Sequence, residues 1–210
     1  MADVFAVLGQ DHLEVKRMLT ELEKGPTKAT GATGDQLVLR KKMAEELIIE
    51  ESKHEALEEM YFWPAVREHL AAGDTLADTA TQQEQDAKQV LAELDKLGSG
   101  DAEFEKLLGT FIVDAREHIA FEETQVWPGL RTALSPEVAE EIGSKIAEGK
   151  KTAPTRPHPH TPPSPGALKA AGPVAAAADK AHERIRHMTR SPGAAATDGL
   201  TGGRRRAGSR

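Results

Sequence analysis

An internal repeat constrains the fold of this chain more than any other feature. A histidine is followed by a glutamate four positions later and by Trp-Pro nine and ten positions later, first at His54 and again at His118, 64 residues further on. A repeated sequence indicates a repeated structural unit. Because residues four apart lie on one face of a helix, each copy predicts a helix that presents an imidazole and a carboxylate side by side.

A fainter repeat precedes each of these helices. Residues 12–22 align with residues 84–94, and Glu84 falls where His12 stands in the first copy. The two repeats together predict two helical hairpins related by a pseudo-twofold axis.

The spacing of apolar residues predicts four long helices. Apolar side chains recur at helical intervals over about residues 4–22, 35–72, 74–96 and 101–130, and turns rich in Gly, Pro, Ser and Thr interrupt them. A short fifth helix follows Ser135, since Pro136 suits the first helical position. Residues 1–149 therefore predict an all-α, up-down-up-down four-helix bundle with a short extra helix.

Residues 150–210 form a second region of different composition. They contain 12 Lys/Arg against 3 Asp/Glu, whereas the whole chain has a net charge of −7. Proline, alanine and arginine dominate, which predicts a largely disordered basic tail in which residues 173–188 could form a short helix. Two roles stay open for this tail: weak attraction to nucleic acid or anionic membrane, and folding back on the acidic bundle.

Composition also limits the chemistry. The absence of cysteine excludes disulfides, thiolate zinc sites, iron–sulfur clusters and a cysteine nucleophile. The first residues do not resemble a signal peptide, and no apolar run is long enough to span a membrane. We therefore expect a cytoplasmic protein whose metal, if it has one, is held by imidazoles and carboxylates.

The predicted bundle brings several metal-binding side chains together. A single His-x-x-x-Glu pair is usually a solvated surface pair, but two pairs in equivalent repeats would meet across the core. His12 lies on the apolar side of its helix, where the alternative is a core histidine satisfied by an acid. Glu84 is its counterpart, where the alternative is an exposed glutamate with Gln85 as a weaker contact. The candidate metal ligands are His12, His54, Glu58, Glu84, His118 and Glu122.

Neighbouring residues receive simpler interpretations. Glu59 and Glu123 are expected on a solvated helix face, with orientation of an imidazole as the alternative. The Trp-Pro pairs at Trp63 and Trp127 are expected to kink their helices and close the bundle end. The mixture of nitrogen and oxygen donors suits iron or manganese better than magnesium or calcium.

This combination of motifs resembles the hemerythrin-like (HHE cation-binding) family over roughly residues 3–133. The resemblance implies a bundle that holds two iron ions, with manganese as the alternative, and places five of the six candidates at ligand positions. Glu84 is the departure, because the family has a histidine there. The added negative charge should favour the ferric state and weaken reversible oxygen carriage.

The resemblance and this departure lead to a functional hypothesis. We expect a dinuclear metal protein that handles oxygen, peroxide or nitric oxide in an oxidative-stress response, with peroxidase- or catalase-like turnover if it is an enzyme. One alternative is a non-catalytic iron or oxygen sensor or an iron store. Another is a purely structural bundle that binds no metal. The sequence leaves the oligomeric state open.

Overall fold

The structure is a computed structural model that describes residues 2–161 and 174–184. The helices follow one another as α1 (Val4–Lys24), α2 (Gly34–Leu57), α3 (Trp63–His69), α4 (Gly73–Lys96), α5 (Ala102–Phe121), α6 (Trp127–Ala133) and α7 (Pro136–Gly149). A 3-10 turn at Lys28–Thr30 connects α1 to α2. The all-helical bundle predicted from the sequence is confirmed.

Two π-helical turns make α2 continuous with α3 and α5 continuous with α6. They span Glu58–Phe62 and Glu122–Val126, and in each the tryptophan N–H that follows bonds to the glutamate carbonyl five residues earlier. A proline comes next in both copies. Because a proline ring crowds the carbonyl four residues before it, the wider turn accommodates the proline without ending the helix.

Local chemistry accounts for the helix boundaries. Thr33 caps α2, accepting from the Gln36 N–H at 3.3 Å while the Gln36 side chain accepts from the Thr33 N–H at 2.8 Å. The helix therefore starts slightly before the predicted Asp35. α4 begins at Gly73, where a Cβ atom would collide with the Val66 carbonyl oxygen. The predicted cap at Ser135 opens α7, with its hydroxyl accepting from the Val138 N–H at 3.4 Å.

The apolar core is divided into two clusters with a polar layer between them. On α1, Leu8 belongs to one cluster and Val15 to the other, and His12 lies between them. Each large apolar side chain buried in these clusters stabilises the fold by about 1.5–3 kcal/mol. The largest fully buried apolar side chains are Trp63, Phe62, Phe104, Phe111, Leu8, Leu19, Leu22, Leu47, Ile48, Leu57, Leu91 and Leu94. The polar layer that carries His12 is therefore enclosed between two packed apolar clusters.

Part of the C-terminal region lies against the bundle. The Arg156 guanidinium pairs with Asp95 on α4, and the Gln85 amide donates to the Pro159 carbonyl at 2.5 Å. Residues 174–184 are helical, and Asp179 among them accepts from the Thr155 N–H at 2.9 Å. The described part of the tail thus folds back on the bundle. The disorder predicted for residues 162–173 and 185–210 concerns segments outside the described residues.

Within the described ranges, no helix has the length and apolar character that crossing a membrane requires.

Candidate metal centre

The polar layer gathers all six predicted ligand residues into two groups. His12, His54, Glu58 and Glu122 form the first group, and Glu58, Glu84, His118 and Glu122 form the second. In each group one nitrogen or oxygen atom per residue lies within 4.8 Å of all the others. Glu58 and Glu122 belong to both groups.

Four helical segments supply these side chains. His12 comes from α1 and Glu84 from α4, while each histidine of the repeated motif precedes a glutamate that opens a π-helical turn. The His54 Nε2 lies 3.2 Å from Glu58 Oε2, and the His118 Nε2 lies 2.9 Å from Glu122 Oε1. Glu122 Oε2 also lies 3.3 Å from His12 Nε2. The i, i+4 spacing therefore places each imidazole beside its own carboxylate.

The donor atoms in this layer are buried and have no hydrogen-bond partner. This holds for Nε2 of all three histidines, for both carboxylate oxygens of Glu58 and Glu122, and for Oε2 of Glu84. The short imidazole–carboxylate contacts lack hydrogen-bond geometry. Such atoms destabilise a fold by about 1–3 kcal/mol each when they stay unsatisfied. Cations bound to both groups would satisfy them together, so the donor set fits a dinuclear metal site.

Electrostatics favours the same interpretation. Burial raises the pKa of Glu58 well above its usual range, and the neighbouring charges of Glu122 and Glu84 raise it further. Burial and the Glu59 carboxylate raise the pKa of Glu84 in the same direction. Burial opposes ionisation of Glu122 as well, but His118 and His12 outweigh it and lower the pKa of that carboxyl. Three carboxylates this close are stable as anions only beside positive charge.

Two of the three histidines have an acceptor at Nδ1. The His12 Nδ1 lies 3.0 Å from Glu123 Oε1, and the His118 Nδ1 lies 2.9 Å from Gln83 Oε1. The His54 Nδ1 lies 3.6 Å from Asp11 Oδ2, which is beyond hydrogen-bond distance, and it has no hydrogen-bond partner. An acceptor at Nδ1 favours the tautomer that carries its proton there, which leaves Nε2 of His12 and His118 free for a metal. The Nε2 atoms of all three point into the polar layer.

The solvated helix face expected for Glu59 and Glu123 was wrong, and the alternative contact with an imidazole is found at Glu123. Its carboxylate lies 3.0 Å from His12 Nδ1 and also accepts from the Lys16 ammonium at 2.8 Å. Glu59 is 2% exposed and pairs with the buried Lys88 at 2.5 Å. Gln85, considered only as the alternative to Glu84, donates to the Pro159 carbonyl, and Gln83 contacts His118. Helical spacing alone does not fix which of two adjacent polar residues faces a neighbouring helix.

The two tryptophans contact the site, which the sequence did not indicate. Trp127 stacks on the His12 ring, with 5.0 Å between centroids and 12° between planes. The Trp63 indole N–H donates to Glu84 Oε1. Their equivalent positions in the repeat could have indicated these contacts, because each tryptophan lies nine residues after a candidate ligand histidine. The tryptophans therefore fix one donor in each group.

A cavity of about 240 Å³ reaches this layer from the surface. Its wall includes His12, His54, Glu84 and His118. It also includes two residues that sequence analysis missed, Glu51 and Glu55, and burial raises the pKa of each to about 8. Glu51 precedes His54 by three residues and therefore shares its helix face, and this spacing could have identified Glu51 from the sequence. The cavity gives a small molecule access to both groups.

Comparison with known proteins agrees with this architecture. The chain is similar in fold to the crystal structure of a hemerythrin HHE cation binding domain-containing protein from Mycobacterium kansasii, with a TM-score of 0.59 and 20% sequence identity. The similarity covers 72% of this chain and 86% of that one. None of the curated proteins matches the chain. The family model described as "Hemerythrin HHE cation binding domain" matches residues 3–130, and the chain therefore belongs to the hemerythrin HHE cation-binding family.

Proposed function

We propose that this protein binds two iron ions, one at each group, with Glu58 and Glu122 shared between them. One observation carries this proposal: buried imidazole and carboxylate atoms from four helical segments converge without hydrogen-bond partners. The mixture of nitrogen and oxygen donors suits iron, with manganese as the alternative. Sites built only from oxygen, as magnesium and calcium prefer, would not use three imidazoles.

The proposed activity is the breakdown of a small oxidant, with peroxide as the preferred substrate over oxygen or nitric oxide. A pair of bound iron ions supplies reversible one-electron chemistry beside the cavity. In such a reaction one peroxide molecule is reduced to water while a second is oxidised to oxygen, so no external reductant is consumed. The small cavity and its polar wall favour a substrate of this size.

Residues around the proposed iron ions favour the ferric state and keep two of the donors in a fixed orientation. The Glu84 carboxylate brings negative charge to a position where an imidazole would be neutral, and this favours the more positive ferric ions. Trp127 covers one face of His12 and Trp63 holds Glu84, so both donors keep a fixed orientation. A centre that prefers the ferric state is better suited to turning over peroxide than to carrying oxygen reversibly.

Elemental analysis and oxygen evolution test the proposal together. We expect about two iron ions per chain in the purified protein, and oxygen release when hydrogen peroxide is added. His54→Ala should lose one of the two ions together with turnover, whereas His69→Ala, which changes an exposed histidine on α3, should retain both ions and activity. Protein that takes up no iron, or His54→Ala that behaves like the wild type, would overturn the proposal.

A non-catalytic sensor is the second candidate, and one contact favours it. Lys150, where the C-terminal region begins, pairs with Asp11, and Asp11 lies behind His54. Occupancy of the first group could then be transmitted to residues 150–161. In that case the iron-loaded protein would show no peroxide turnover, while iron removal would change protease cleavage after Lys150. The cytoplasmic location and the role in oxidative stress stay predictions.

A further inference from the structure

The cavity that reaches the metal centre is acidic from its surface rim to its buried wall. Asp86, Asp114 and Glu117 are exposed acids in its lining, and Glu51 and Glu55 are buried acids in the same lining. Among the described residues that line it there is no lysine or arginine. Fixed charges of one sign along a cleft raise the local concentration of ions of the opposite sign.

The buried acids of this cavity are not explained by packing. Glu51 is 6% exposed and Glu55 is 3% exposed, and each has a buried oxygen without a hydrogen-bond partner, Oε1 and Oε2 respectively. Neither residue belongs to the two groups of proposed ligands. Both nevertheless lie on α2 beside His54, at three positions before it and one after it.

Both acids line the same cavity as the unshared residues of the two groups, His12, His54, Glu84 and His118. A cation held by Glu51 and Glu55 would therefore lie close to the unshared residues of both groups. Two carboxylates offer fewer donors than either group, so they would hold a cation less tightly than its final site.

A second cavity provides a contrast. It has a volume of about 220 Å³ and also reaches His54, but its lining includes Lys53 and Lys150. Lys53 lies 2.7 Å from Glu50, and Lys150 pairs with Asp11. The acids on this side already have cationic partners, so this cavity does not attract a further cation as the first one does.

We propose that the acidic cavity is the route by which a divalent cation reaches the metal centre, and that Glu51 and Glu55 hold the cation in transit. This inference rests on the proposed function, since it assigns the path to the same site. The exposed acids collect the cation at the surface, the buried acids pass it inward, and the imidazole-containing groups retain it.

The rate of metal uptake tests this route without measuring any activity. Fe²⁺ is added anaerobically to the metal-free protein, and tryptophan fluorescence is followed, because both tryptophans of the chain contact the site. We expect Glu51→Gln to slow uptake about tenfold, because the amide cannot lose a proton and so cannot supply the carboxylate that an arriving cation stabilises, while two ions still bind at equilibrium. Glu46→Gln makes the same substitution at an exposed position on α2 and should not change the rate.

A second variant makes the test independent of the buried position. Replacing Asp86 and Asp114 with Asn and Glu117 with Gln alters only exposed side chains, and should slow uptake and reduce its dependence on salt. Wild-type rates in both variants, with two ions bound, would overturn the route while leaving the proposed function intact. A Glu51→Gln protein that folds but fails to retain two ions would show a permanent ligand and also overturn it. If the wild type itself bound no Fe²⁺, the proposed function would fail first.

Discussion

The two groups of the candidate metal centre share Glu58 and Glu122 but differ in their other donors. The first group adds two imidazoles, His12 and His54, whereas the second adds the Glu84 carboxylate and a single imidazole, His118. They also differ in exposure, because the His12 and His54 side chains are 1% and 5% exposed and that of His118 is 13% exposed. A repeated sequence has thus produced two unequal positions.

We expect this difference to give the two groups different roles. The two unshared donors of the first group are neutral imidazoles, and Trp127 stacks on one of them, His12. The second group is more negative and more accessible from the cavity. We therefore expect the first position to anchor a metal ion and the second to meet the small oxidant.

Removing a shared carboxylate should abolish the difference by emptying both positions. Glu122→Ala takes a donor from each group at once, and we expect metal content to fall from about two ions per chain to nearly none. Elemental analysis measures this effect, which should be larger than that of removing any unshared donor. Glu68→Ala, at an exposed position on α3, is the matched control. One ion retained in Glu122→Ala would mean that Glu122 is not shared.

Removing an unshared donor should instead empty one position. We expect His12→Ala to lose the ion of the first group and Glu84→Ala to lose that of the second, leaving about one ion per chain in each case. The two variants should differ in their optical spectra, because the remaining ion has different donors. Identical spectra would contradict the inequality of the two groups.

Substitutions behind the imidazoles should have smaller effects. Asp11→Ala removes the carboxylate that lies 3.6 Å from His54 Nδ1, and Gln83→Ala removes the hydrogen-bond acceptor of His118 Nδ1. Each change should weaken metal binding at its own group by about 10–100-fold, as measured by competition with a chelator. Equal weakening of both ions by either variant would show that the two positions are not separable.

The tryptophan contacts should contribute least. Trp127→Leu removes the ring stacked on His12, and an aromatic contact of this kind stabilises by about 0.5–1.5 kcal/mol. We therefore expect metal affinity at the first group to fall by roughly tenfold or less, with the second group unchanged. Isothermal titration of the metal-free variant would measure this, and a larger loss would indicate that Trp127 also excludes water.

The six candidate ligands could be predicted because their arrangement depends mainly on local geometry. The i, i+4 spacing fixes each histidine beside its glutamate, and the repeat fixes the pairing of the two hairpins. Glu84 followed from its alignment with His12. The helical spacing, the repeat and the alignment can all be read from the sequence, so they required no knowledge of how the side chains pack.

The surroundings of the site could not be predicted in the same way. The π-helical turns insert an extra residue per turn and rotate the side chains that follow them, so Trp63 reaches Glu84 where a regular helix would direct it elsewhere. The buried acids Glu51, Glu55 and Glu59 belong to a charged run that normally lies in solvent. Whether such residues are buried depends on long-range packing, as where Lys88 on α4 pairs with Glu59 in the π-helical turn.

X-ray absorption at the iron edge of the iron-loaded protein tests most directly whether the polar layer holds a pair of ions. We predict a coordination shell of nitrogen and oxygen with imidazole scattering, and a second iron atom at about 3.5–4 Å, the separation typical of two-metal sites. A spectrum without a neighbouring iron atom, or one without imidazole, would contradict a dinuclear centre built on His12, His54 and His118.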